Sequence, residues 1–244
     1  MRALLLQIIA VTAINIRSIP QRFWLSLSTV VAVALVVVVL LSFLAMAYGF
    51  QRTLKSAGAE DIAIVLRGGS QSEINSSIAR EQVRLIEDGP GVARGADGKP
   101  LVSAELYIVV DGIKRSSQTK ANIPLRGIDD DGAALRKDVT LVAGRMFNRG
   151  ANEIVVGKSL LDQFQGFDLG ERVKFLTSQW TVVGVFAADG SVFESEIWGD
   201  LPVVQSLFNR NNVFQTVRAR INGPADLAEL KRYADTDPRL KLDV

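Results

Sequence analysis

The chain has 244 residues, 48% of them hydrophobic and 22% charged, and it contains no cysteine and no histidine. Those two absences together exclude disulfides, thiol nucleophiles, zinc fingers, imidazole bases and Ser-His-Asp triads, and the composition fits neither a disordered nor a fibrous chain. The formal net charge of +2 hides an asymmetry: residues 1–52 carry four arginines and no acid, leaving 24 of the 28 basic side chains to face all 26 acidic ones in the remainder. That larger part is near neutral without a basic stripe, so nucleic acid is set aside as a partner.

In chain order, the first feature is Met1 to Ile16, where Leu4, Leu5, Ile8, Ile9, Val11 and Ile16 are interspersed with Gln7, Thr12 and Asn15. This reads as a short helix over residues 1–22 that Pro20 ends, either an interfacial helix on the cytoplasmic leaflet or a simple anchor ahead of a membrane span. Between Arg22 and Arg52 there is no charged residue. The spacing predicts a transmembrane helix over 23–51, whose apolar part from Leu25 to Tyr48 spans roughly 36 Å as a helix, enough for a hydrocarbon core of about 30 Å. Phe23 and Trp24 at one edge, with Tyr48 and Phe50 at the other, are placed as interfacial aromatics. A cleaved signal peptide is the alternative, since Ala45-Met46-Ala47 looks like a cleavage site, but the leader before the apolar run and the run itself are both too long for one. Arg2, Arg17 and Arg22 precede the span while Arg52 and Lys55 follow it, which places the N-terminus in the cytoplasm and the main domain outside.

Residues 52–244 are long enough for one core or two subdomains. Strands are expected at Asp61–Leu66, Ala121–Ile128, Val139–Ala143, Glu153–Val156 and Val213–Ile221, and helices at Ser76–Glu87, Ser159–Phe164, Leu201–Phe208 and Ala225–Ala234. Two hairpins are expected, one turning at Asp111-Gly112 and one joining Arg172–Leu176 to Trp180–Ala187 across Thr177-Ser178-Gln179. This intermingling predicts an α+β domain with a mixed sheet after one N-terminal transmembrane helix.

Several motifs invite a chemical reading. Gly157-Lys158-Ser159 follows a strand, yet Asn152 stands where a phosphate-cradling loop needs its first glycine, so the strand-to-helix reading is preferred. Asp129-Asp130-Asp131-Gly132 lacks the bidentate glutamate of a calcium loop and reads as a turn or helix cap. Glu194 and Glu196 beside Trp198 could pair for acid–base work, but an exposed loop or docking edge is the expectation, and Lys158 next to Ser159 does not form a Ser-x-x-Lys arrangement. No catalytic, cofactor-binding or metal-binding residue is nominated.

Taken in order, Leu125-Arg126-Gly127-Ile128, Leu141-Val142-Ala143-Gly144-Arg145-Met146-Phe147, Glu153-Ile154-Val155-Val156-Gly157, Leu169-Gly170-Glu171-Arg172-Val173 and Trp180-Thr181-Val182-Val183-Gly184-Val185-Phe186 resemble the periplasmic core domain of MacB-like ABC transporter permeases. The resemblance covers nearly the whole chain. It implies a non-enzymatic inner-membrane subunit that works as a homodimer or permease heterodimer and couples ATP hydrolysis by a separate ABC ATPase to export or extraction of a cargo. It also implies lipid contact and a periplasmic adaptor or carrier, with no cofactor held by this chain. The glycines in these segments read as turns that start or join strands. The three further spans that such permeases carry after this domain have no counterpart before Val244, so a truncated chain or a half-permease is expected. The rival readings are a single-span periplasmic ligand-binding sensor and a membrane-tethered hydrolase.

Overall fold

The structure, a computed structural model, describes residues 2–18, 23–57, 59 and 61–244, in two compact units, residues 1–52 and 53–244. The helix break expected at Pro20 lies outside the described residues.

Helix α1 (Arg2–Ser18) exposes Leu6, Ile8, Ile9, Val11, Ile14 and Ile16, whose spacing sends apolar groups to most sides of its axis. Helix α2 (Phe23–Ala57) contains an apolar stretch, Phe23–Gln51, of 29 residues, whose most apolar 18-residue window has mean hydropathy 3.1 and no buried residue. A helix this apolar on every side suits hydrocarbon rather than water. Its hydroxyls are satisfied locally, with Ser28 and Thr29 donating to Leu25 O at 2.8 and 2.9 Å and Ser42 to Val38 O at 2.8 Å. In this way no polar side chain of that set needs a partner from outside the helix.

The second unit opens with β1 (Ile62–Arg67), a 3-10 turn (Glu73–Asn75), β2 (Ile78–Ala79) and α3 (Arg80–Glu87). It continues through β3 (Val102–Ile113), β4 (Lys120–Ile128), α4 (Asp130–Ala134), β5 (Thr140–Gly144), β6 (Glu153–Gly157), α5 (Lys158–Gln163), β7 (Arg172–Phe175) and β8 (Ser178–Ala187). A second 3-10 turn (Val192–Ser195), β9 (Ile197–Asp200), α6 (Leu201–Leu207), β10 (Val213–Phe214), β11 (Thr216–Arg220), α7 (Pro224–Thr236) and β12 (Leu242–Asp243) complete it. Ten strands form one sheet in the order β12-β1-β11-β3-β4-β9-β6-β8-β5, with β7 also paired to β8. The β4–β9 and β6–β8 pairs are parallel and the others antiparallel, so the sheet is mixed and the class is α+β, as expected.

One face of this sheet, with Val65, Leu106, Leu125, Ile154, Ile197 and Val217, packs under α3, α6 and α7 to make the main core. The opposite face holds a smaller cluster built on Ile128, Val155, Phe186, Phe193 and Trp198, where Phe186 and Trp198 stack at 4.0 Å.

Several expected boundaries move. The first hairpin does not turn at Asp111-Gly112: β3 runs straight through, Asp111 pairs with Asn122 and Gly112 with Ala121, and the chain reverses between Lys114 and Thr119. Gly112 serves a close approach instead, because a Cβ there would sit 2.2 Å from Ile123 Cδ1 and 2.9 Å from Phe164 Cδ1. The second hairpin is one residue tighter than expected, turning over Leu176-Thr177 with Phe175 paired to Ser178 and Leu176 at φ 49°. Helix α3 starts at Arg80, since Ile78–Ala79 is drawn off to pair with β10, and Gln215 divides the expected last long strand into β10 and β11.

Gly144, in the second family-like segment, adopts φ +71°, and a Cβ there would also lie 2.2 Å from Val183 O. Gly170 has φ +87° with nothing within 4 Å of its would-be Cβ. Gly170→Ala should therefore cost only the left-handed backbone penalty of about 1–2 kcal/mol. Gly144→Ala adds a backbone clash and should cost upwards of about 3 kcal/mol. Urea denaturation followed by tryptophan fluorescence checks the ranking; equal losses would contradict it.

Candidate functional site

The second face of the sheet collects charge because polar residues alternate with apolar ones along four adjacent strands. On β3, Ser103, Glu105 and Tyr107 share that face. Arg218 of β11 lies opposite Ser103, Arg126 of β4 lies opposite Tyr107, and Trp198 of β9 lies beside Arg126 in the parallel register. Such alternation ordinarily marks strands with one wet face. Here three segments cover it: the Glu73–Asn75 turn, the Val192–Ser195 turn that carries Phe193, and the residues after α4 that carry Arg136.

The outcome is a buried network of three carboxylates and three guanidiniums. Glu105 is 0% exposed and Arg126 2%. Arg126 grips Glu196 with two bonds, Nε to Oε2 at 2.8 Å and Nη2 to Oε1 at 2.7 Å, and donates to Glu105 Oε2 at 2.9 Å and Glu73 Oε2 at 2.7 Å. Arg136 forks onto Glu105 at 2.7 Å to each carboxylate oxygen and donates to Gly132 O at 2.6 Å. Trp198 Nε1 donates to Glu196 Oε2 at 2.9 Å. Arg218 is held less tightly, with Nη2 3.5 Å from Glu73 Oε1 and Nε 3.6 Å from Glu105 Oε2. The guanidinium carbons of Arg136, Arg218 and Arg126 lie 4.9, 5.2 and 6.0 Å from the centre of the Phe193 ring.

Burial pushes the Glu105 carboxyl up, but the guanidiniums of Arg136 and Arg126 outweigh it and hold the group at about 2. Arg126 is likewise disfavoured by burial, yet Glu196, Glu105 and Glu73 raise it well above its ordinary value. Arg218 moves the other way: burial lowers it, and the neighbouring Arg136 and Arg126 push in the same direction against Glu105. The arrangement keeps Glu105 ionised and leaves Arg218 the least compensated of the three cations. Among the described residues, no group of three or more acidic side chains is arranged to hold a metal ion.

Two cavities flank this network and share Phe193 and Arg218. The larger, about 440 Å³, is lined by Glu73, Tyr107, Arg126 and Glu196 among others. The smaller, about 210 Å³, is lined by Arg136, Ser191, Leu135 and Val139 among others.

The structure corrects the expectation for Glu194 and Glu196 as an exposed loop or docking edge. Glu196 is 4% exposed and is part of the network. Glu194 fastens its own loop, accepting from the Ala188 and Gly190 amides at 2.8 and 3.0 Å and from Ser159 Oγ at 3.1 Å. Its carboxyl is held low by those amides. Asp129 is a helix cap, accepting from the Gly132 amide at 2.8 Å and from Ser103 Oγ at 2.7 Å. Gly157-Lys158-Ser159 is a strand-to-helix junction at the start of α5. Sequence reasoning missed Glu73, Glu105, Arg126, Arg136 and Arg218 as a group; the available signal was charge recurring at alternate positions within otherwise apolar strands. Two family-like segments are joined by an ion pair, since Arg145 forks onto Glu153 at 2.7 and 2.6 Å.

Residues 26–236 match the family model described as the MacB-like periplasmic core domain. The chain is similar to the crystal structure of the extracellular domain of the noncanonic ABC-type transporter YknZ from Gram-positive bacteria, with TM-score 0.54 and 18% identity over 75% of this chain and 98% of that one. It is also similar to the periplasmic region of MacB from Actinobacillus actinomycetemcomitans, with TM-score 0.50 and 13% identity over 73% of this chain and 84% of that one. At these identities the likeness establishes the fold. No curated protein matches the chain.

Removing Arg126 leaves three carboxylates facing one another with their central cation gone. Arg126→Met should cost about 3–5 kcal/mol, and the double variant Arg126→Met/Glu196→Met should cost clearly less than the two single losses combined. A denaturant double-mutant cycle reads this directly, and additive losses would contradict it.

Acid should also weaken the fold. Glu105 keeps its proton off down to about 2, against an ordinary 4.5, so the unfolded chain binds the proton first as pH falls. Its contribution, on the order of 3 kcal/mol, is complete above pH about 4.5 and lost on acidification toward pH about 2. Asp129, raised by burial, opposes this in part. Denaturation midpoints measured across that window should fall, and Glu105→Gln should flatten the slope.

Proposed function

The chain belongs to the family of MacB-like periplasmic core domains, and from that premise we propose that it is the N-terminal portion of an ABC-transporter permease that couples ATP hydrolysis to work on a cargo across the inner membrane. The observation that carries this reading is the extent of the family match. It begins at Ser26, inside the apolar helix, and ends at Thr236, the last residue of α7, so span and sheet domain fall within one family unit.

In this reading α2 crosses the membrane, the N-terminal helix α1 is cytoplasmic, and the sheet domain is periplasmic. The extracellular and periplasmic placements of the two similar solved domains support that orientation. ATP is hydrolysed by a separate ABC ATPase, the permease works as a homodimer or heterodimer, and a periplasmic adaptor or carrier receives the cargo. The chain itself is non-catalytic and holds no cofactor.

The absence of cysteine makes orientation directly testable. Lys99→Cys should react with a membrane-impermeant maleimide in intact spheroplasts, whereas Thr12→Cys should react only after permeabilisation. The reverse pattern, or labelling of both, contradicts the reading. The ATPase coupling is tested separately. Full-length chain purified in mild detergent should retain an ABC ATPase whose hydrolysis it stimulates, and deletion of residues 2–18 should preserve membrane insertion while reducing that stimulation several-fold. Unchanged stimulation would remove α1 from the coupling path.

A further inference from the structure

We propose that the smaller cavity, walled by Arg136, Ser191, Phe193 and Arg218, is a binding site for a small organic monocarboxylate. The assignment starts from hydrogen-bond bookkeeping. Among the described residues, four buried side-chain polar atoms have no partner, and three of them, Arg136 Nε, Ser191 Oγ and Arg218 Nε, belong to residues lining this one cavity. All three residues are at most 7% exposed. An unsatisfied buried donor costs roughly 1–3 kcal/mol, so Arg136 Nε and Ser191 Oγ, with Arg218 Nε held only at 3.6 Å from Glu105 Oε2, call for an acceptor.

The shape of the donor set selects the acceptor. Arg136 spends three of its five N–H groups on Glu105 and Gly132, leaving Nε–H and one Nη2–H, and Arg218 makes only long contacts to Glu73 and Glu105, its Nε lying 3.6 Å from Glu105 Oε2. These guanidinium N–H groups and the Ser191 hydroxyl suit the lone pairs of a carboxylate. A phosphate would bring further anionic oxygens to face Leu135, Val139 and Phe193, where nothing could solvate them. The volume, about 210 Å³, exceeds the roughly 150 Å³ of an apolar cavity known to hold benzene. An anionic head with an apolar body of six to eight atoms fits both ends.

Charge agrees. Arg136, Lys137 and Arg218 line the cavity against one acid, the exposed Asp138. Lys137 is engaged by Asp61, leaving Arg218, with its long contacts to Glu73 and Glu105, as the cation most in need of an anion. This inference stands apart from the transport reading, since it requires neither an ATPase nor a membrane orientation.

The test is a fluorine NMR titration of 4-fluorobenzoate into the full chain in lipid nanodiscs, with empty nanodiscs subtracted. The expected result is saturable one-to-one binding with a dissociation constant of about 1 mM or below. Unlabelled benzoate should compete, and inorganic phosphate and benzyl alcohol should compete at least tenfold less well. Ser191→Ala, which leaves the ion network intact, should weaken binding about three- to tenfold, and Val139→Phe, which fills the cavity, should abolish it. Arg218→Gln should weaken it more than tenfold, provided its circular dichroism matches the parent. Absence of saturable binding, equal competition by phosphate, or affinity unchanged in both Ser191→Ala and Val139→Phe would overturn the proposal.

Discussion

Glu105 sits at the bottom of the constraint that organises the sheet domain. Its carboxylate has no solvent exposure and stays ionised, so the desolvation cost of that charge, several kcal/mol, has to be met by partners at fixed positions. The guanidiniums of Arg126 and Arg136 supply them, and Arg126 is in turn paired with Glu73 and Glu196. The six groups come from six different segments: the first 3-10 turn, β3, β4, the stretch after α4, the residue before β9, and β11. A one-residue slip of any of these strands would turn its charged residue into the apolar core on the other face and leave its partners unmet. Electrostatics here therefore specifies register across β11-β3-β4-β9, whatever its net contribution to stability.

The first unit obeys a different solvent. Phe23–Gln51 presents apolar side chains on every side and is long and apolar enough to cross a membrane, so it suits hydrocarbon better than water. The sheet domain buries its own apolar side chains in two clusters on opposite sheet faces. Each unit thus solves its burial problem with a separate medium, and the sequence separates them sharply, with no charge between Arg22 and Arg52 and both signs mixed thereafter.

Element identity was legible wherever one periodicity dominated. The apolar span, the strands over Ala121–Ile128 and Glu153–Val156, and the helices near Leu201 and Ala225 lie within a residue or two of their expected bounds. Legibility failed where a local signal competed with a distant contact. Asp111-Gly112 carries good turn chemistry, but Ile123 and Phe164 press against the Cα of Gly112, and tertiary packing keeps the strand extended. Ile78–Ala79 has helical spacing with Val83 and Ile86, yet its backbone is claimed by Val213–Phe214 more than a hundred residues away. Glu196 looked exposed because glutamate usually is. Its burial depends on Arg126, seventy positions distant, and no spacing rule links the two. The buried network was therefore the least readable part of the molecule, being assembled entirely from long-range partners.

The same electrostatics explains why a void persists beside the network. Three guanidiniums surround the Phe193 ring at 4.9 to 6.0 Å, each favoured by the ring's electron-rich face and each repelling the other two. Closing the smaller cavity by inward collapse would drive Arg136 and Arg218 together, with Glu105 already saturated by Arg126 and Arg136. Leu135 and Val139 cannot fill the space without burying those cations further.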